Sequence, residues 1–315
     1  MKKRSPIAIL VGLAIAICML ISACGGDTGS GGSTPTVSSN SPKTLGTPGN
    51  YTCVSGSITV GGSTALQPLV NAVAKKYQAK CSSATITVQG GGSKTGLGQV
   101  EAGVFQIGDS DIFALSNQSD LVDHQVAVVV FTLVVNPDVT GVSSLTSQQI
   151  LGIYTGKYTN WNQVGGPNLP IVVVSRPATS GTRATFKQYV LNGTSESPAK
   201  STNLTADSTK LVLQTVEQTN GAIGYAALGD ASQEGSKVTI LQIDGVAPSA
   251  DTVKTNTYKF WNIEHMYTKG PGTGLAQALI DYMLSPDGKA AAQDLKFVPI
   301  TDMTQDALSA HQPKS

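Results

Sequence analysis

Three short turns of glycine and hydroxyl residues constrain this chain most, because each joins a β-branched run to an amphipathic one. They are Gly61-Gly62-Ser63-Thr64, Gly90-Gly91-Gly92-Ser93-Lys94-Thr95-Gly96 and Ser180-Gly181-Thr182-Arg183. Residues 58–60 precede the first turn, and Leu66, Leu69, Val70, Val73 and Tyr77 follow it at helical spacing. Residues 85–88 precede the second, with a helix predicted through 97–102; residues 171–174 precede the third, with a helix over 183–191. Strand, tight turn and helix in that order are the unit of an α/β fold with mainly parallel sheets. The rhythm continues. Residues 106–108, 126–135, 222–226 and 237–243 read as strands, and 147–154, 209–218, 275–284 and 288–295 as helices. No internal repeat is visible.

The N-terminus reads as a targeting segment. Met1-Lys2-Lys3-Arg4 is basic, and residues 7–21 are an apolar run in the range of a signal h-region and short for a membrane span. Leu20-Ile21-Ser22-Ala23-Cys24 then looks like a bacterial lipobox, which makes residues 1–23 a signal peptide and Cys24 the lipidated terminus. The alternative is an ordinary signal peptide with an incidental Cys24. Of the 25 residues 25–49, 21 are Gly, Ser, Thr, Pro or Asn, so nothing there can build a core. Residues 24–56 are therefore expected to be a lipidated, flexible tether that holds a domain on the extracytoplasmic side of a membrane.

Cys53 and Cys81 remain, in a compartment that permits oxidation. Each precedes a strand-like run; if those strands are parallel neighbours, a disulfide is geometrically reasonable. Two free thiols are the alternative.

Charge excludes a nucleic-acid footprint. The chain has 21 basic and 20 acidic residues; losing Lys2, Lys3 and Arg4 leaves 18 basic against 20 acidic, a net of −2. Three His and four Cys leave little material for a metal site. Residues 152–157 imitate a Walker loop but have three residues between the glycines, and Tyr158 stands where Ser or Thr belongs. There is no Gly-x-Ser-x-Gly elbow, so a serine hydrolase is disfavoured.

Each turn offers backbone N–H groups at a helix N-terminus, where the helix dipole favours an anion. For one turn alone, ordinary N-capping explains the hydroxyl. Three at strand ends favour anion binding. Arg176, four residues before Ser180, can meet an oxyanion with parallel donors. Arg183 either faces the same site or pairs with a neighbouring carboxylate. Gln106-Ile107-Gly108-Asp109-Ser110-Asp111 adds two acids after a strand. A carboxylate beside a bound anion makes sense if the anion carries a proton: hydrogen phosphate can donate to it, whereas sulfate is repelled. Taken alone, these acids read as turn or capping residues.

These residues resemble the PstS-like phosphate-binding proteins of bacterial phosphate ABC transporters, within the periplasmic-binding-protein superfamily. The resemblance spans about residues 57–302. Its pieces are Gly62-Ser63-Thr64-Ala65-Leu66, Gly91-Gly92-Ser93, Ile107-Gly108-Asp109-Ser110-Asp111, and Arg176 with Ser180-Gly181-Thr182-Arg183. Further pieces are residues 154–161, Gly221-Ala222-Ile223-Gly224-Tyr225 and Glu264-His265-Met266-Tyr267. The resemblance implies a two-lobed type II fold with dehydrated phosphate between the lobes. It implies phosphate contacts from Ser63, Thr64, Ala65, Leu66, Ser93, Asp111, Arg176, Ser180, Gly181 and Thr182, with Asp109 and Arg183 around them. Two positions depart from the family pattern: Leu66 replaces a frequent aromatic, and Ala178 replaces an acid that pairs with the arginine in some members.

The expected organisation is a first lobe from residues 57–131 and 258–302, a second from 132–257, and a polar tail over 303–315. Residues 126–135 and 258–263 would cross between the lobes. The resemblance further implies a monomeric, non-enzymatic receptor without cofactor, whose closed form is recognised by a membrane permease. Arsenate, sulfate or molybdate binding, and a sensor or adhesin role, are the alternatives.

Overall fold

The computed structural model describes residues 51–198 and 203–313. The expected signal peptide, Cys24 and most of the tether lie outside them. The chain opens with β1 (Gly56–Gly62), α1 (Gln67–Lys80), β2 (Ala84–Gln89), α2 (Ser93–Glu101) and β3 (Ile107–Ser110). β4 (Leu121–Val135), β5 (Ser144–Leu145), α3 (Ser147–Tyr154), β6 (Val172–Ser175) and α4 (Gly181–Tyr189) follow. Next come β7 (Asn203–Thr205), α5 (Thr209–Gln218), β8 (Ala222–Ala227), α6 (Leu228–Gln233), β9 (Thr239–Ile243) and α7 (Ala250–Lys254). The chain closes with β10 (Trp261–Lys269), α8 (Gly274–Met283), α9 (Pro286–Asp294), β11 (Val298–Pro299) and α10 (Gln305–Ala310).

β4 is the spine of both lobes. Its residues 121–130 pair with β10 in the β2-β1-β3-β10 sheet, and residues 131–135 pair with β8 and β9 in the other. The sheets are mixed, where the turns alone suggested mainly parallel ones. Every antiparallel ladder among the strands β1 to β11 involves β4 or β10. The reason is topological: β4 leaves the first lobe, β10 re-enters it beside β4, and a strand returning alongside must run the opposite way. The strands of the three glycine-rich turns keep parallel neighbours.

Local chemistry explains the elements. Leu69, Val70, Val73, Ala74 and Tyr77 bury one face of α1, and Lys80 lies in its last turn, where a cation suits the helix dipole. Thr146 and Gln149 form a capping box on α3, while Ser180 and Ser208 cap α4 and α5, each cap contributing about 1 kcal/mol. Cys53 and Cys81 form a disulfide with Cα atoms 5.3 Å apart. The register accounts for it: Gly56 pairs with Ala84, and each cysteine stands three residues before its partner in that pair.

Two boundaries differ from the sequence reading. The tether was expected to extend to residue 56, yet Tyr51 already packs on the domain. Its ring lies 4.4 Å from that of Tyr282 and 6.1 Å from that of Tyr77, between centroids. The Tyr77 hydroxyl also ties down Thr52 and Val54. Residues 303–313 form no polar tail. Met303, Ala307 and Leu308 are buried at helical spacing, and His311 is 2% exposed. Its ring stacks on Trp261 at 3.5 Å and on Tyr189 at 3.8 Å, between centroids. A thin apolar stripe in a polar segment was enough to dock it.

Candidate functional site

The three turns converge where the two sheets meet. At the first, the Ser63 backbone N–H donates to the Asp109 carbonyl at 2.9 Å. The Ser63 hydroxyl accepts from the N–H groups of Ala65 (3.1 Å) and Leu66 (3.0 Å), which directs its own proton to Asp111. At the second, Ser93 Oγ accepts the Asp111 backbone N–H at 3.0 Å. At the third, Thr182 Oγ1 donates to Asp111 Oδ2 at 3.0 Å, and Ser180 Oγ accepts the Arg183 N–H at 3.2 Å. Asp111, at 1% exposure, is therefore bonded to all three turns: its carboxylate accepts from Ser63 and Thr182, and its backbone N–H donates to Ser93.

Arg176 enters from the end of β6 and is also 1% exposed. Its Nη2 donates to Thr64 Oγ1 at 3.0 Å and to the Asp207 carbonyl at 3.3 Å. Thr64 Oγ1 also accepts the Thr209 N–H at 3.3 Å. With Ala178 in place of an acid, Asp207 at the start of α5 supplies the nearby negative charge. Arg176 Nε and Nη1 are buried and make no hydrogen bond to protein. Two guanidinium donors are thus available to an anion.

The cleft is closed. The Lys94 N–H, from the first lobe, donates to the Thr179 carbonyl of the second at 3.1 Å. Gly92 adopts φ +91°, and a Cβ there would lie 2.8 Å from the Thr179 oxygen. A Cβ on Gly181 would lie 2.2 Å from Ser93 Oγ and 2.9 Å from the Asp111 Cβ. Both glycines are what this approach of backbones requires.

Burial pushes the Asp111 carboxyl above its ordinary range, while hydrogen bonds from Ser63 and Thr182 and the charge of Arg176 pull it back. Burial pushes the Arg176 guanidinium down, opposed by Tyr225, Asp111 and Asp207. Asp109 is driven far up, first by burial and then by Asp111.

The ten expected contact residues are thus gathered in one place, but not in identical roles. The N–H groups of Ala65 and Leu66 donate to the Ser63 hydroxyl, which donates to Asp111. Asp109 holds the first turn through its carbonyl, and its carboxyl oxygens have no hydrogen-bond partner. Arg183 turns out of the site: its Nε lies 3.3 Å from Glu196, and its Nη1 donates to the Arg176 carbonyl at 2.7 Å. It orients Arg176 through the backbone.

Four further residues at the site have no role in the sequence reading, although Glu264 stands in one of the family pieces. Asp207 and Thr209 flank the Ser208 cap, and that helix-start signature was the available signal. Asn262 donates to the Asp111 carbonyl at 2.7 Å and to Thr185 at 3.1 Å. Glu264, on the same strand, is fully buried.

A family model described as a PBP superfamily domain matches residues 39–287. The Bacillus subtilis phosphate-binding protein PstS is 43% identical over 314 residues, which cover 98% of each chain. The chain belongs to the PstS family. Solved structures show the same fold. A substrate-binding protein assigned to a phosphate ABC transporter of Clostridium perfringens, with bound phosphate, superposes with a TM-score of 0.71 at 26% identity. That match covers 78% of this chain and 100% of the other. An ABC-type phosphate transport receptor from Vibrio cholerae gives 0.62 at 26% identity over the same shares. The two-lobed architecture agrees with the fold that the resemblance implied.

Proposed function

We propose that this protein captures inorganic phosphate between its lobes and presents it to the permease of an ABC transporter. The observation that carries this is the burial of Asp111 and Arg176, each 1% exposed and each shifted by the charge of the other. A guanidinium with two donors not bonded to protein attracts an oxyanion. A carboxylate beside it accepts the proton of hydrogen phosphate and repels an anion that has none. The known relatives carry phosphate in their names or in their crystals, which supports the same reading.

Both lobes contribute, so a ligand touching both stabilises the closed form by its differential affinity. The chain works in this reading as a binding protein and not an enzyme, as a monomer, and outside the cytoplasmic membrane through lipid on Cys24. The lipobox-like leader supports the anchor. Among the described residues no helix is long and apolar enough to cross a membrane.

Calorimetric titration of the full-length, ligand-stripped protein tests this. One-to-one phosphate binding with sulfate silent is expected. Asp111→Asn should narrow the phosphate-to-sulfate preference by about 1–3 kcal/mol. Equal binding of both anions by the wild type overturns the selectivity argument, and silence with both overturns the ligand.

A further inference from the structure

Three carboxyl groups lie buried together behind the cleft: Asp109, Asp111 and Glu264 are each 0–1% exposed. Asp111 is satisfied by Ser63 and Thr182. The Glu264 oxygens accept no hydrogen bond. Yet the antiparallel register of β10 on β3, with His265 opposite Ser110, carries Glu264 to the position facing Asp111, where the two carboxyls can share one if either carries a proton. Two facing carboxylates with no donor between them repel; one proton turns that contact into a strong hydrogen bond. Among the described residues no group of His, Cys, Asp or Glu has the geometry to hold a metal.

We propose that Glu264 is a specificity-determining residue of the cleft: as a neutral acid it donates to Asp111 and keeps Asp111 as the ionised acceptor for the ligand's proton. This rests on the phosphate reading above. A carboxylate offers about four acceptor positions. The Ser63 and Thr182 hydroxyls take two and the Glu264 acid takes a third, which leaves one for the P–OH group. The charge count agrees. With Asp109 and Glu264 neutral, one carboxylate stands against Arg176; with all three ionised, the pocket would reject a dianion.

The surroundings fit a neutral Glu264. Burial drives its carboxyl well above the ordinary range, reinforced by Asp111 and then Asp109 on β3. β4 sets Ala127 opposite it, and the next residue, His265, is bonded to Asp123 at 2.8 Å. Arg176, beyond Asp111, acts on Asp111. The charges that act on Glu264 are those of two acids, Asp111 and Asp109, and both oppose its ionisation. With its ionisation pushed upward, Glu264 holds its proton beyond the ordinary carboxyl range and loses it as pH rises, and affinity falls with it. Hydrogen phosphate keeps its own proton across that range.

Glu264→Gln places a permanent donor at the same position. Full-length wild type and E264Q are titrated with inorganic phosphate from neutral to alkaline pH. At neutral pH, E264Q should bind within about threefold of the wild type. Wild-type affinity should fall as pH rises, and E264Q should stay flat. Parallel falls in both proteins, or a uniform loss in E264Q at every pH, overturn the assignment. If E264Q fails to fold, infrared spectra of the wild type decide. The protonated-carboxyl C=O band should weaken in step with affinity, and a band that keeps full intensity while affinity falls overturns the proposal. A wild type silent towards phosphate at neutral pH overturns the phosphate reading itself and this assignment with it.

Discussion

The two lobes touch on two sides, and the two contacts are built from opposite materials. On the cleft side the contact is polar and ionisable: Arg176 on Thr64, Thr182 on Asp111, the Lys94 N–H on Thr179. On the hinge side it is aromatic and fixed. His311, just after α10, stacks between Trp261 at the start of β10 and Tyr189 at the end of α4. Nearby, the Tyr258 hydroxyl donates to the Phe131 carbonyl at 2.9 Å, and the Phe131 N–H donates to Phe260 at 3.0 Å. Buried polar groups are costly when unpaired and strong when paired, so the cleft can exist in two states. Stacked rings lose contact area on separating and gain nothing from an anion, so this side is expected to stay fixed when the cleft opens.

Substitutions can break or sharpen that contrast. The largest effect is expected for Arg176→Ala, which should weaken phosphate binding by about 2–5 kcal/mol in a titration. The ligand-free melting temperature should move far less; a parallel loss of stability would mean that Arg176 holds the fold as well as the anion. Gly181→Ala comes next. Its methyl would collide with Ser93 and Asp111 only in the closed form, so binding should weaken by about 1–3 kcal/mol with ligand-free stability unchanged. Unchanged affinity would show that the lobes do not approach this closely when phosphate is bound.

The smallest effect on binding is expected on the hinge side. His311→Ala should cost about 1–2 kcal/mol of stability in a denaturant melt and leave phosphate affinity within about threefold. The same residue carries a pH signature. Burial, helped by the charge of Lys259, lowers His311 from 6.5 to about 3. The unfolded chain therefore binds the proton first, so its contribution is full above about pH 6.5 and is lost as pH falls towards 3. His311→Phe keeps a stacked ring without the proton, and it should flatten that acid limb. An acid limb identical to the wild type would place the titrating group elsewhere.

How much was legible follows the same divide. The cleft was readable because its residues sit in turns whose composition has a local cause: glycine for close backbone approach, hydroxyls at helix N-termini, an arginine and an acid nearby. Arg176 and Ser93 were singled out that way, whereas the turn left Asp109 and Asp111 as alternatives and the family resemblance favoured Asp111. β10 was not recognised as a strand, because Asn262, Glu264 and His265 occupy buried positions in it and hide its period. Asp207 and Thr209 were passed over because one capped helix start looks like any other.

The sequence by itself determined the strand–turn–helix units, the three anion-ready turns and the position of both cysteines, since each depends on residues within a few positions of one another. Tertiary structure alone decided that β10 returns antiparallel to β4, that Glu264 stands behind Asp111, that Arg183 turns to Glu196, and that His311 closes the hinge side. Each of those depends on groups far apart in the chain, whose meeting is fixed only when the two sheets and their shared strand are in place.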